Sequence, residues 1–449
     1  MSIVSPFCGL RFNPEKVSSI EDVVTPPYDV IDERAQAAYL AKNPYNMIQL
    51  DLIKKSGPGD DSSRYTDALN LFEKWQEERI FVRDQEPCFY IYHTTYMHPS
   101  GKKLTRKGFV SLVGLAEFSE GIVKPHEKTF PGVTSDRLRL METCQAHFSQ
   151  IFSLYSDTKG SVMAELESAR SSLPLCSVED QDGCIHAIWP VTDPEVIAKV
   201  SSMFEDRSLY IADGHHRYTT SLQLRRLMLE RHGELPADSP YNRTLMYLCP
   251  MEDPGLSVLP AHRLVRMPGN VSVDDLIEKL GAGFDVEEIT GGTREMLTAE
   301  VLDRMDEHLK VSADNAATMF GLYHAREDRC LLLTLKEGVM AAETGDMSPA
   351  LQALDVVVLS DLALKTYLDV SHEDCEEKDL VDYLSDPDEA LDLAVKESSE
   401  SIERTPVLFL MNPTTVAQVR RVADEGLVMP HKSTYFYPKI LTGLLLNKM

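Results

Sequence analysis

With 449 residues, 43% of them hydrophobic, 8% aromatic and 26% charged, the chain has an ordinary globular composition and exceeds the length at which one hydrophobic core stops growing. Its formal charge of −26 repels nucleic-acid phosphates, and no local basic patch offsets that field, so nucleic acid is not an expected partner. No run approaches 18 apolar residues, and Met1-Ser2-Ile3-Val4-Ser5-Pro6 lacks a basic region followed by an apolar stretch; the expectation is a soluble, cytoplasmic protein without a membrane partner.

Taken in chain order, Phe7–Phe12 and Asn46–Leu52 read as short strands, the second closed by the Gly57-Pro58-Gly59-Asp60-Asp61 break. Between them Thr25-Pro26-Pro27-Tyr28-Asp29-Val30-Ile31 forms a proline-stiffened platform, with Asp29 a candidate substrate contact. Tyr65, Leu69, Phe72 and Trp75 recur at helical spacing through Ser62–Arg79. Cys88–Met97 and Lys107–Phe118 then make a hairpin around Pro99-Ser100-Gly101-Lys102. Strands are predicted at Gln150–Tyr155, Cys184–Trp189, Ser208–Ala212, Thr244–Cys249 and Gly255–Leu259, with helices at Ser161–Ala169, Pro194–Phe204 and Tyr218–Arg231.

Beyond about residue 268 the pattern changes, which predicts a catalytic lobe over 1–267 and a C-terminal α+β lobe over 268–449 whose tail could return to the cleft. In the second lobe Val273–Leu280 and Thr293–Leu309 read as helices, Thr318–Tyr323 and Cys330–Leu335 as strands. Ser348–Tyr367 is apolar on one face, and Val407–Met411 with Thr414–Glu425 make a final strand and helix. The acidic stretch His372–Arg404 spreads its charges over many turns and reads as a solvated helical surface. The eight cysteines show no C-x-x-C pair and are expected to be reduced and structural.

The densest chemistry lies at Ala212-Asp213-Gly214-His215-His216-Arg217-Tyr218, between an apolar strand and a helix-patterned segment. A helix start attracts anions through its unpaired N–H groups and macrodipole. Arg217 adds a planar fork for phosphate or carboxylate, Gly214 permits a tight turn or close ligand approach, and Asp213 is a candidate Mg²⁺ ligand. His215 and His216 can donate, accept or shuttle protons. Together they suggest phosphate chemistry. Arg217→Ala is therefore expected to weaken phosphate-donor binding with little loss of melting temperature.

A second cluster, Val123-Lys124-Pro125-His126-Glu127-Lys128-Thr129-Phe130, precedes the helix start at Asp136-Arg137-Leu138. Glu127 could take the proton of a substrate hydroxyl, with His126 and Arg137 as phosphate or substrate contacts; it could equally be a surface residue paired with Lys124 or Lys128. In the tail His431-Lys432-Ser433-Thr434-Tyr435-Phe436-Tyr437-Pro438-Lys439, Lys432 could act as a phosphate point charge and Tyr435 or Tyr437 as a stacking surface, or the segment could pack as a terminal strand. No G-x-x-x-x-G-K-[ST], G-x-G-x-x-G, H-R-D/D-F-G or H-E-x-x-H pattern is present, which points away from P-loop enzymes, dinucleotide enzymes, protein kinases and zincins.

On the motifs Thr25–Ile31, His126–Thr129 with Asp136–Leu138, Ala212–Tyr218, and Met429-Pro430 with Lys432–Lys439, the whole chain resembles the domain-of-unknown-function family 1015. More distantly it resembles the ParB/sulfiredoxin-like free serine kinases, which pair an early loop glutamate with a later Asp-Gly-His-His-Arg turn. That resemblance implies an α/β (mixed α+β) protein with a ParB/sulfiredoxin-like core, an N-terminal hairpin extension and a second C-terminal lobe. It implies a phosphotransferase with Glu127 as base, and with Asp213, His215, His216 and Arg217 handling phosphate and Mg²⁺. The donor would be ATP, ADP or pyrophosphate, and the acceptor a small hydroxylated molecule such as L-serine. Two other readings stand beside it: a nucleotide- or effector-binding regulator without catalysis, and a hydrolase in which Asp213, His215 and His216 bind zinc or manganese with one further ligand.

Overall fold

Residues 2–53, 63–311, 318–371, 375, 380–400 and 403–449 are described by the computed structural model. The chain is mixed α/β and divides into two units, Met1–Ser257 with Phe436–Met449, and Val258–Tyr435.

The first unit is organised by a nine-stranded sheet. Its strands in chain order are β1 (Val4–Ser5), β2 (Phe89–Met97), β3 (Lys103–Gly114), β4 (Val123–Lys124), β5 (Ile151–Tyr155), β6 (Cys176–Glu179), β7 (Ile185–Val191), β8 (Leu209–Asp213) and β9 (Arg243–Pro250). They lie side by side as β4-β8-β5-β9-β3-β2-β7-β6, with β1 paired to β3. The pairs β4/β8 and β5/β9 are parallel, and the rest are antiparallel. The helices of this unit are α1 (Glu33–Lys42), α2 (Ile48–Asp51), α3 (Ser63–Glu77), α4 (Pro131–Cys144), α5 (Ser161–Ser168), α6 (Pro194–Met203) and α7 (His215–His232).

Side chains alternate between the two faces of a strand, and this sheet uses its faces differently. Ile91, Phe109, Ile151, Leu209, Ile211, Met246 and Leu248 point to one side. There they bury against Val162 and Leu166 of α5, Val196 and Val200 of α6, and Tyr218 and Leu222 of α7. The opposite face carries the rings of Tyr92, Phe152 and Tyr247 around the guanidinium of Arg106. A separate core of Phe12, Met47, Leu50, Phe72, Trp75, Phe81 and Phe148 binds α3 and the short N-terminal segments to the unit.

Several expectations need correction. Asn46–Leu52 is not a strand: the Asn46 side chain accepts the Ile48 N–H at 3.0 Å and donates to the Asp22 carbonyl at 2.8 Å, which bends the chain into α2. Only Leu10–Phe12 of the first predicted strand is extended, and Phe7 makes a single bridge to Cys88. The Gly57–Asp61 break lies outside the described residues, as do 372–374, 376–379 and 401–402 of the acidic stretch, which includes the helix Pro387–Glu400.

The second unit contains a six-stranded antiparallel sheet in the order Phe284–Ile289, Arg329–Leu335, Met319–His324, Arg404–Leu410, His262–Pro268, Val381–Leu384. The apolar stretch read over Ser348–Tyr367 breaks into Pro349–Gln352, Asp355–Val357 and a π-helical Val358–Tyr367. Among the described residues no helix is long and apolar enough to cross a membrane.

Candidate functional site

Strict alternation along β8 would send Asp213 into the apolar core with Leu209 and Ile211. The β8/β5 register instead shifts between Ile211 and Asp213, so Ile211 sits opposite Ser153 but Asp213 opposite Phe152. A bulge of this kind turns the following side chain to the other face, and it is what brings Asp213 onto the polar side of the sheet. Gly214 comes next with φ +94°, a left-handed conformation suited to glycine, and serves as the N-cap of α7, where no side chain caps the helix. A Cβ at 214 would stand 2.9 Å from the guanidinium of Arg217, so the close approach that requires glycine is made by this arginine.

Arg217 is buried, donates to the carbonyl of Gln150, and holds Asp213 Oδ2 at 2.6 Å. The other carboxylate oxygen, Oδ1, accepts from Lys439 Nζ at 2.8 Å. Burial works to raise the Asp213 pKa, but the two cations overcome it and hold the carboxyl below the usual range. The same pairing raises Arg217 against its own desolvation.

Beside this corner runs the loop after β4. The His126 backbone N–H donates to His215 Nε2 at 3.2 Å, and the two rings meet edge to face at 4.5 Å. An N–H can only donate, so Nε2 carries no proton. Burial, reinforced by His126, lowers the His215 pKa to about 3, which makes the ring neutral with its proton on Nδ1. That nitrogen stands 3.7 Å from Glu127 Oε2. His216 is used in the same way: Nε2 accepts the Phe130 N–H at 3.0 Å and the ring stacks on Phe130 at 5.9 Å. Phe130 is also the N-cap of α4, so the second histidine ties the starts of α4 and α7 together.

A small cleft, with about 30 Å³ of space for water, borders Arg217 and is lined by Tyr28, Asp51, Arg137, His147 and Thr244 among others. Arg137 donates to the Asp51 carbonyl at 2.6 Å and to the carboxylates of Asp51 at 3.2 Å and Asp136 at 2.6 Å, with its guanidinium 4.3 Å from the Tyr28 ring centre. Three of the sequence motifs thus meet at one cleft through Tyr28, Arg137 and Arg217. Glu127 is not part of its lining.

The sequence-derived candidates therefore separate. Glu127, His126, His215, His216, Asp213, Gly214 and Arg217 form one corner, and Arg137 joins it through the cleft wall it shares with Arg217. Asp29 is exposed in the turn Tyr28–Val30, and its neighbour Tyr28 lines the cleft instead. Lys432 belongs to the second unit, and the tail lysine on Asp213 is Lys439, seven positions later. Lys439, Gln150 and Asp51 were not singled out from sequence; only Lys439 carried a signal, its place in the tail motif.

A protein-held metal ion does not fit this corner. Both oxygens of Asp213 are engaged by cations, and among the described residues no group of three or more His, Cys, Asp or Glu side chains converges. The hydrolase reading, which needs such a group, has no ligand set here.

Solved structures similar to this chain include a free serine kinase in complex with AMP, at 12% identity and a TM-score of 0.32, over 72% of this chain and 89% of that one. A conserved hypothetical protein from Pyrococcus furiosus matches at 14% identity and 0.31, over 72% and 92%. SbnI with a C-terminal truncation, from Staphylococcus aureus, matches at 11% and 0.33, over 74% and 85%. A search of curated proteins finds no match. The profile of the family described as "Protein of unknown function (DUF1015)" matches residues 4–357, and the chain belongs to that family.

Proposed function

We propose that this protein is a phosphotransferase that moves a phosphoryl group from a nucleotide or pyrophosphate donor to the hydroxyl of a small metabolite of the L-serine kind. One observation carries the reading: Glu127 meets His215 at 3.7 Å beside an aspartate that organises two cations at the start of an uncapped helix. Glu127 takes the hydroxyl proton as the oxygen attacks phosphorus, and the donor's bridging oxygen leaves with the electron pair of the broken P–O bond. His215, neutral and with Nδ1–H toward the carboxylate, orients Glu127 and does not itself exchange a proton. Arg217, Lys439 and the α7 N-terminus offset the charge of the transferring group. Asp213 holds the two cations in place; no step passes through a metal ion.

The motif likeness to free serine kinases supports the choice of acceptor class, and the prearranged, partly buried charges support phosphate as the group handled. The test is a screen of free amino acids and small alcohols against ATP, ADP and pyrophosphate, reading each product by mass. A product heavier by one phosphoryl group is the expected result, and its absence across all pairs overturns the reading.

A further inference from the structure

Arg106 on β3 is 0% exposed, and the site described above makes no use of it. Its Nη1 donates to the Pro438 carbonyl at 2.6 Å, and its guanidinium lies 4.7 Å from the Phe152 ring centre and 5.5 Å from that of Tyr247. Nε and Nη2 have no hydrogen-bond partner, and among the described residues no carboxylate lies within ion-pair distance of it. Asp253, whose charge acts on the same region, has its Oδ1 taken by the backbone N–H groups of Lys107 and Gly255. The hydroxyl of Thr94, which faces Arg106 across the β2/β3 register, is also buried without a partner, and the Tyr247 hydroxyl lies beside the guanidinium.

A buried cation with no carboxylate in contact is costly, and a fold retains one readily where something else supplies an anion at the open edge. The unsatisfied edge is the informative feature. Nε and Nη2 present the two parallel N–H groups that grip a carboxylate in bidentate fashion. One guanidinium neutralises one charge, so a monoanion leaves the aromatic surroundings with no net charge, whereas a dianionic phosphate would leave a surplus. We infer that Arg106 is the receptor for the carboxylate of a small monocarboxylic ligand, bound at Nε and Nη2 with Tyr247 and Thr94 as further polar contacts. This site is separate from the phosphoryl corner and does not depend on the phosphotransfer reading. The segment Phe436–Leu441 covers it, held by the Arg106–Pro438 contact and by Leu441 N–H on Tyr92 at 3.4 Å, so entry requires that segment to lift.

The test is thermal unfolding of the full chain in sodium acetate against sodium chloride at equal ionic strength. Acetate should raise the melting temperature in a saturable way, by about 2–4 °C. Arg106→Met, which removes the unpaired charge, should melt normally in chloride and lose the acetate response. Arg106→Lys, which keeps the charge but not the bidentate edge, should need at least about tenfold more acetate. Glu127→Gln should keep the response, so loss of the phosphotransfer reading would leave this one standing. Equal melting of the native chain in both salts, or an undiminished response in Arg106→Met, overturns the inference; if that variant does not fold, an undiminished response in Arg106→Lys does so.

Discussion

His215 presents Nδ1 to Glu127 at 3.7 Å, and the His126 backbone N–H on its other nitrogen fixes which ring atom carries the proton. A carboxylate beside a histidine locked in one tautomer is oriented by it without sharing a mobile proton, and under the proposed reading this is what positions Glu127 toward a substrate hydroxyl.

The low pKa of His215, about 3, has a consequence for acid stability. Between that value and the ordinary histidine range the unfolded chain binds a proton that the folded chain does not, so stability falls as the pH drops from about 6.5 toward 3. Burial lowers His126 too, and lowers His93 and His147 to about 4, so they act in the same direction. Melting temperature should decline between about pH 7 and pH 4.5, with a shallower decline in His215→Asn. An unchanged slope in that variant would assign the effect to the other histidines.

Arg217→Ala is expected to cost about 3 kcal/mol, because it removes a buried guanidinium, strips one of two partners from a half-buried carboxylate and leaves the Gln150 carbonyl without its donor. This revises the expectation of little loss of melting temperature, which did not include the contacts of Arg217 with Asp213 and the Gln150 carbonyl. Urea unfolding measures it; an unshifted midpoint would mean that Lys439 alone suffices for Asp213.

Gly214→Ala should destabilise by about 1–2 kcal/mol from the left-handed backbone alone, and by more once the new methyl meets the Arg217 guanidinium. Calorimetric titration of the donor should show weaker binding in whatever fraction folds. Native affinity together with native stability would show that the turn tolerates a side chain.

How far the sequence revealed this site depends on which interactions are local. Leu209-Tyr210-Ile211 followed by Asp213-Gly214 signals a strand, a turn and a helix start, and β8 and α7 are where that reading places them. The bulge that rotates Asp213 out of the core has no signal of its own, since it exists only in the register with β5. Lys432 and Lys439 share one tail, and spacing cannot decide which reaches a residue more than two hundred positions earlier. Asn46–Leu52 misled because a short apolar run suits a strand or a buried turn of helix equally, and the Asn46 side chain makes the choice. Phe284–Ile289 was not read as a strand because Asp285, Glu287 and Glu288 mask its alternation.

Chelation offers an independent check on the engagement of both Asp213 oxygens by Arg217 and Lys439. Prolonged EDTA treatment should leave the melting temperature unchanged, and elemental analysis should find no stoichiometric zinc or manganese. A bound equivalent of either metal would contradict the assignment of Asp213 to Arg217 and Lys439.

The most direct measurement compares the native protein with Glu127→Gln in transfer from the donor to a small hydroxylated acceptor, with donor affinity determined in parallel. The native chain should form the phosphorylated acceptor, and the variant should bind donor equally well yet transfer at least about a hundredfold more slowly. Equal rates in the two proteins would contradict the role given to Glu127, and no transfer by the native chain to any acceptor would contradict the proposed activity itself.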